Sequence, residues 1–351
     1  MTEKMKALIE KLEKEKSLSV EEYQYLIDNR DEESTLLLRE KADRARRSVY
    51  GNKVFIRGLI EISNICKNDC HYCGIRKSNR NCQRYRLSEE DILECCKEGY
   101  NSGFRTFVMQ GGEDGFFTDE AMCSIIRKIK ESYPNCAVTL SLGERSEESY
   151  RRLYEAGADR YLLRHETADE EHYKKLHPEN LSWKRRMECL HNLKKIGYQT
   201  GCGFMVESPY QTTEHLAKDL KFIEKFSPEM CGIGPFIPHK DTEFKDEKAG
   251  TCELTCYLLS IVRLMKPNIL LPSTTALGTI EEDGREKGIL SGGNVVMPNL
   301  SPLSVRKKYM LYDGKICTDE EAAENLTKLK ERINAIGYEV VTDKGDFVKA
   351  K

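Results

Sequence analysis

The stretch EISNICKNDCHYCGIRKSNRNCQRYR, residues 61–86, sets Cys66, Cys70 and Cys73 in the spacing Cys-x3-Cys-x2-Cys. Thiolates are soft ligands, and on one short loop three of them can converge on one point. A structural zinc site asks for four closed ligands, whereas an iron-sulfur cluster held by three Cys leaves one iron open to another molecule. Behind the thiols come Arg76, Lys77, Arg80, Arg84 and Arg86, a local run of cations in a chain whose 56 Lys and Arg nearly balance 58 Asp and Glu. A formal charge of −2 gives no basic field that would make nucleic acid the main partner.

Other polar groups gather at the ends of apolar runs. VMQGGEDG brings Gln110, Gly111, Gly112, Glu113 and Asp114 together, with small residues that let backbone approach a ligand. In AVTLSLGE, alternation puts Thr139 and Ser141 on one face and Val138, Leu140 and Leu142 on the other. RYLLRHET repeats the pattern with Arg160, Leu162, Arg164 and Glu166 opposite Tyr161, Leu163 and His165. Charges inside a barrel are costly unless paired, so Arg164 and Glu166 either face a ligand or form an ion pair at the rim. Further on, Met205, Thr274, Thr275 and Met297 add soft apolar walls and hydroxyls.

These groups need a scaffold that gathers strand ends. Short apolar runs at 54–63, 106–111, 137–143, 160–166, 200–206, 230–236, 268–276 and 294–298 read as eight strands. Amphipathic stretches near 88–102, 118–132, 146–156, 182–196, 212–226, 251–265 and 281–290 read as the helices between them. The repeat suits an α/β fold, a (β/α)8 TIM-type barrel with its active site at the C-terminal strand ends, and an open doubly wound sheet is the alternative. Residues 51–300 form the expected barrel. Residues 1–50 are a charged helical N-terminal extension, with a capping box at Ser19–Glu22 and a later helix through Leu36–Leu38 to Arg47. Residues 301–351 are a C-terminal capping segment, with a helix from Glu320 to Ile336 and a short strand. The first sixteen residues lack the apolar stretch of a signal peptide, and no run is long enough for a membrane span, so the expected location is the cytoplasm with no membrane partner. Fourteen cysteines then read as ligands or buried thiols before disulfides.

The CxxxCxxC loop after a first strand resembles the radical S-adenosylmethionine (SAM) enzymes. The resemblance implies one 4Fe-4S cluster on Cys66, Cys70 and Cys73, with SAM chelating the open iron and being cleaved to a 5'-deoxyadenosyl radical. It also implies that Tyr72 lies beside adenine and that Gly111, Gly112 and Glu113 form the element receiving SAM's ammonium. CHYCGIRKSN, YLLRHETAD, GIGPFIPHKDT, TTALGTI, NVVMPN and LYDGKIC together are similar to the HydE family, the radical SAM maturases of iron-only (FeFe) hydrogenase, over about residues 50–317. By that resemblance Tyr72, Gly112, Glu113, Ser141, Glu166 and Arg186 hold SAM, while Arg164, Gln110, Thr274, Thr275, Met297 and Tyr309 line the inner chamber where substrate meets the radical. Arg186 could instead sit on a solvated helix face beside Lys184 and Arg185.

The implied work is anaerobic. An iron carbonyl cyanide cysteine precursor, made by a tyrosine-cleaving maturase, is processed toward the two-iron subsite of the H-cluster. An electron donor is needed, and transient contact with the GTPase scaffold maturase is possible within that system. Some family members carry a second cluster near the C-terminus; here no cysteine follows Cys317, so none is expected on that pattern. The remaining cysteines lack cluster spacing. Competing readings are a methylornithine synthase or biotin synthase relative, a non-catalytic iron-sulfur carrier, and a zinc module.

Overall fold

The computed structural model describes residues 1–316 and 322–349; Cys317 and Glu320 lie outside the described residues. Helix starts follow local capping chemistry. Helix α1 (Glu3–Glu15) begins after Thr2, α2 (Val20–Asp28) after the Ser19/Glu22 capping box, and α3 (Glu32–Tyr50) after Asp31, whose carboxylate accepts from Ser34 N–H. Met5, Ile9, Leu12, Leu26, Ile27 and Leu38 on these helices are fully buried.

The strands are β1 (Lys53–Ile56), β2 (Gly58–Ser63), β3 (Thr106–Gly111), β4 (Ala137–Ser141), β5 (Arg160–Leu162), β6 (Gln199–Cys202), β7 (Met205–Val206), β8 (Met230–Cys231), β9 (Gly234–Pro235), β10 (Val295–Val296) and β11 (Glu339–Val341). Between and beyond them run α4 (Glu89–Asn101), α5 (Asp119–Ser132), α6 (Glu147–Glu155), α7 (Glu170–Leu176), α8 (Trp183–Ile196), α9 (Thr213–Phe226), α10 (Cys252–Met265), α11 (Thr275–Ile280), α12 (Gly284–Leu290), α13 (Leu303–Arg306) and α14 (Ala322–Ala335). The N-terminal helices lie against this ring of helices, α2 on α9 and α3 on α10.

Six strands form one parallel ladder in the order β2-β3-β4-β5-β6-β8. Backbone hydrogen bonds then carry the ring round. Cys231 N–H donates to Leu270 O at 3.1 Å, Asn294 N–H to Leu271 O at 2.9 Å, Leu59 N–H to Pro298 O at 2.9 Å and Leu300 N–H to Leu59 O at 2.7 Å. The cylinder is closed, so its strand ends share one interior. The α/β barrel expected from the sequence is therefore the fold, and the open sheet is not.

One expected strand is much shorter than the pattern implied. Of 268–276 only Leu270 and Pro272 bridge to neighbours, and Thr275 begins α11. Pro272 has no amide to donate, and Thr274 takes the extended N-cap conformation, so the chain leaves the ladder early. The first expected strand is split into β1 and β2, and the upper parts of the fifth and sixth pair separately as β7 and β9.

The opposite end of the cylinder is plugged by the C-terminal tail. β11 pairs with β1, and the chain beyond it reaches beneath the barrel. Arg160 is completely buried, donating from Nη1 to Thr106 Oγ1 at 3.0 Å and from Nη2 to Lys344 O at 3.0 Å and to the Asp346 carboxylate. Burial works against ionisation of Asp346, but Arg160 prevails and holds its pKa below the ordinary carboxylate value. Asp346→Ala should strand a buried guanidinium and lower stability by about 2 kcal/mol in chemical denaturation at neutral pH. Because the folded-state pKa is depressed, the wild-type advantage should fade as pH falls through the acid carboxylate range.

Candidate active site

A cavity of about 340 Å³ opens where the strands end. On its wall lie all three motif cysteines and every residue expected from the sequence to hold SAM or to line the chamber. The cysteines come from the loop after β2. That loop is shaped by its own arginines: Arg84 donates to the carbonyls of Asn64, Ile75 (2.8 Å), Arg76 and Asn79 (3.0 Å), while Arg76 Nε donates to Asp69 Oδ1 at 2.9 Å. Arg86 is paired with Asp114 at 2.7 Å, and Lys77 and Arg80 remain exposed. Three of the five cations behind the motif thus hold the loop together.

Cys66, Cys70 and Cys73 are free thiols. Cys66 Sγ accepts backbone N–H groups of Asn68 at 3.5 Å and Glu113 at 3.4 Å, the type of donor that stabilises a ligating thiolate. Burial pushes all three pKa values up, that of Cys73 to about 12, and for Cys70 and Cys73 the nearest contribution after burial is the charge of another motif cysteine. The thiols do not close on one point. Among the described residues no three His, Cys, Asp or Glu side chains surround a position that a single metal ion could fill. A 4Fe-4S cluster presents a separate iron to each thiolate, so it asks only that the three share a wall. Neighbouring, half-buried, unbridged thiols on one cavity wall, Cys66 with amide donors, fit that group.

Behind them stands the Gly-Gly-Glu turn after β3. A Cβ on Gly112 would sit 2.3 Å from Ile65 O and 2.8 Å from Cys66 Cβ, so the turn and the cysteine loop meet at a distance only glycine permits. Glu113 Oε2 lies 3.1 Å from Lys67 Nζ, and Oε1 accepts from Glu144 N–H at 3.0 Å. Ser141 ends β4 beside this group.

Across the cavity, Arg164 Nη2 and Glu166 Oε2 are 3.1 Å apart. They do form the rim ion pair, yet Arg164 Nε and Nη2 and Glu166 Oε2 are all buried without a hydrogen-bond partner. Glu166 also adopts φ +65°, a left-handed conformation strained for a side chain of this size. Bonds on either side enforce it: Glu166 N–H donates to Gly203 O at 3.0 Å, and the buried Asp219 carboxylate on α9 accepts from Ala168 N–H and lies 3.2 Å from His165 Nε2. Arg186 is buried in the first turn of α8, contrary to the solvated-face alternative, and binds Glu144 Oε1 at 2.6 Å and Arg164 O at 2.8 Å.

Deeper in, Gln110 Nε2 donates to the Tyr309 hydroxyl at 3.3 Å. Thr274 Oγ1 is buried without a partner, Thr275 starts α11, and Met297 lies on the same wall. Two further wall residues escaped the sequence reading. Glu61, 1% exposed, accepts from Asn299 Nδ2 at 2.9 Å and pairs with Lys315, whose ammonium also donates to Tyr309 O at 2.9 Å. The available signal was a carboxylate in the otherwise apolar strand GLIEIS.

The pattern of the radical SAM superfamily matches residues 60–223. The chain belongs to the radical SAM superfamily of enzymes, whose members imply a 4Fe-4S cluster and SAM. Over 304 residues, 87% of this chain and 86% of the relative, it is 43% identical to the [FeFe] hydrogenase maturase subunit HydE of Thermotoga maritima. The 3-methylornithine synthase of Methanosarcina acetivorans is 28% identical over 346 residues, 96% of this chain and 95% of that one. Two solved structures share the fold. Methylornithine synthase PylB superposes with a TM-score of 0.82 at 24% identity, covering 95% of this chain and 97% of its own. HydG, a maturase of the [FeFe]-hydrogenase, gives 0.81 at 19% identity, covering 96% and 76%. No helix among the described residues is long and apolar enough to cross a membrane.

The contact at Gly112 yields a local test. Gly112→Ala must displace the cysteine loop and should cost about 1–3 kcal/mol in denaturant unfolding. Gly115→Ala, where nothing lies within 4 Å of the added carbon, should cost less than about 0.5 kcal/mol.

Proposed function

We propose that this chain is a hydrogenase maturase that uses SAM-derived radical chemistry on an iron carbonyl cyanide cysteine precursor, on the way to the two-iron subsite of the H-cluster. The observation that carries the reading is the set of polar atoms left unpartnered in one cavity beside three free cysteines, in a chain 43% identical to HydE. The higher identity to HydE than to 3-methylornithine synthase favours the maturase over the amino-acid mutase reading.

Cys66, Cys70 and Cys73 would hold the cluster. When bound, the reduced cluster supplies the electron that splits the SAM sulfonium into methionine and a 5'-deoxyadenosyl radical. Tyr72, Gly112, Glu113, Ser141, Glu166 and Arg186 bind SAM in this reading. Glu113 offers a carboxylate to the ammonium, and Gly112 allows its backbone to come close. Arg186 supplies a fixed cation for the carboxylate, and Glu166, ion-paired to Arg164 but without a hydrogen bond at Oε2, accepts from a hydroxyl. Arg164, Gln110, Thr274, Thr275, Met297 and Tyr309 line the chamber for the precursor. The Arg164 guanidinium, whose Nε makes no hydrogen bond, and the Thr274 hydroxyl suit its carboxylate and polar iron ligands, while Met297 keeps water out. The tyrosine-cleaving maturase supplies the precursor, an electron donor reduces the cluster, and the GTPase scaffold maturase is a transient contact in the same system. The cytoplasm is the setting, and residues 51–300 form the catalytic unit between an N-terminal helical extension and a C-terminal cap.

Anaerobically reconstituted protein with a reductant should cleave SAM and consume the iron product of the tyrosine-cleaving maturase, read by hydrogenase activation. Cleavage that proceeds with methylornithine synthase or biotin synthase substrates instead would reassign the enzyme. Cys70→Ala should bring SAM cleavage to background while the fold persists by circular dichroism. Arg164→Ala should weaken use of the iron precursor about 10- to 100-fold, as expected for losing charged hydrogen bonds, with a smaller effect on SAM affinity. The reverse ranking would move Arg164 to the SAM site.

A further inference from the structure

Tyr72 sits between two motif cysteines, and its hydroxyl lies 3.2 Å from Nε2 of His177. The other ring nitrogen decides which of them donates. His177 Nδ1 is 3.0 Å from Tyr173 O, and a carbonyl can only accept, so the network assigns the ring proton to Nδ1. Burial, with the nearby Arg186 charge next in weight, pushes the His177 pKa down to about 3, so the imidazole is neutral and carries that proton alone. Nε2 is therefore bare. The phenol must donate to it.

The imidazole is itself clamped. It stacks on the Tyr173 ring at 3.8 Å between centroids with planes 17° apart, and it is 2% exposed. Tyr72 meets it edge-on at 5.4 Å and 90°, while packing on Leu176, Met205, Phe236 and Phe244. Backbone joins the same two segments, His71 N–H donating to Leu176 O at 3.1 Å. The single phenol proton therefore ties the orientation of the ring on the cavity wall to His177.

We propose that His177 is a positioning residue: as a fixed hydrogen-bond acceptor it holds the Tyr72 phenol and keeps its aromatic ring set against the cavity, where the purine of SAM is to lie. The inference rests on the SAM-binding reading of Tyr72 given above. His177 touches neither SAM nor the cluster in this arrangement and acts through Tyr72.

The tautomer can be read without cofactor. In nitrogen NMR of protein labelled at histidine, the resonances lost in His177→Gln should belong to a ring protonated at Nδ1 and bare at Nε2; a ring protonated at Nε2 would overturn the proposal. SAM affinity of the reconstituted protein, measured by equilibrium binding, provides the coupling. His177→Phe removes the acceptor and should weaken binding about 3- to 10-fold, the worth of one buried hydrogen bond. Tyr72→Phe should do the same, and the double variant should be no worse than either single one. His177→Gln, whose amide can both accept from Tyr72 and donate to Tyr173 O, should return binding toward wild type. Additive losses, or equal losses in the Phe and Gln variants, would make His177 a mere packing residue. Wild-type protein that carries its cluster but binds no SAM would instead remove the underlying reading, and the NMR result would still report whether the phenol is held.

Discussion

Hydrogen bonds between Leu59 and the 298–300 backbone close the cylinder, and the geometry of the site follows from that closure. An open sheet would spread its strand ends along a line of tens of ångströms; a ring of eight brings the first strand beside the last. Leu59 and Glu61 at one end of the chain's circuit can then share a cavity wall with Met297 and Lys315 from the other. At the far end the tail residues lying against Arg160 leave the cavity facing one way.

The scaffold was largely readable because its signals are local. Helix starts are written as capping residues, and strands as β-branched runs separated by amphipathic segments, so seven of the intervening helices stand where the pattern put them. The strand expected at 268–276 is cut back to bridges at Leu270 and Pro272: its composition suits pairing, but Pro272 lacks an amide and Thr274 already occupies the N-cap position of α11. The cysteine motif was readable for a different reason: its spacing is chemistry and needs no tertiary context. What the sequence could not give are pairings between distant segments. Asp219 is one more carboxylate on an amphipathic helix until α9 is placed behind Glu166. Lys315 lies 254 positions from Glu61.

Arg186 illustrates the same limit from the other side. In sequence it belongs to a run of three cations that could all face water. On the folded helix Lys184 does so, Arg185 is half-buried and bonded to Arg145 O at 2.8 Å and Glu188 at 2.9 Å, and the residue one step further on is turned through about 100° and buried against Glu144. Burial and charge together single out the cation on the cavity wall from its neighbours, and neither is visible in composition.

The arginines of the cysteine loop have a consequence for the protein's life in air. Arg84 fastens four main-chain oxygens of that loop, and Asn79 Nδ2 ties down Gly74 O at 2.7 Å, all through bonds that involve no inorganic partner. The receptacle is therefore cast before anything is poured into it. Were the three cysteines to hold the cluster, its loss to oxygen would leave the mould standing, and replenishment would call for iron and sulfide at a finished socket, with no renewed folding of the chain around them.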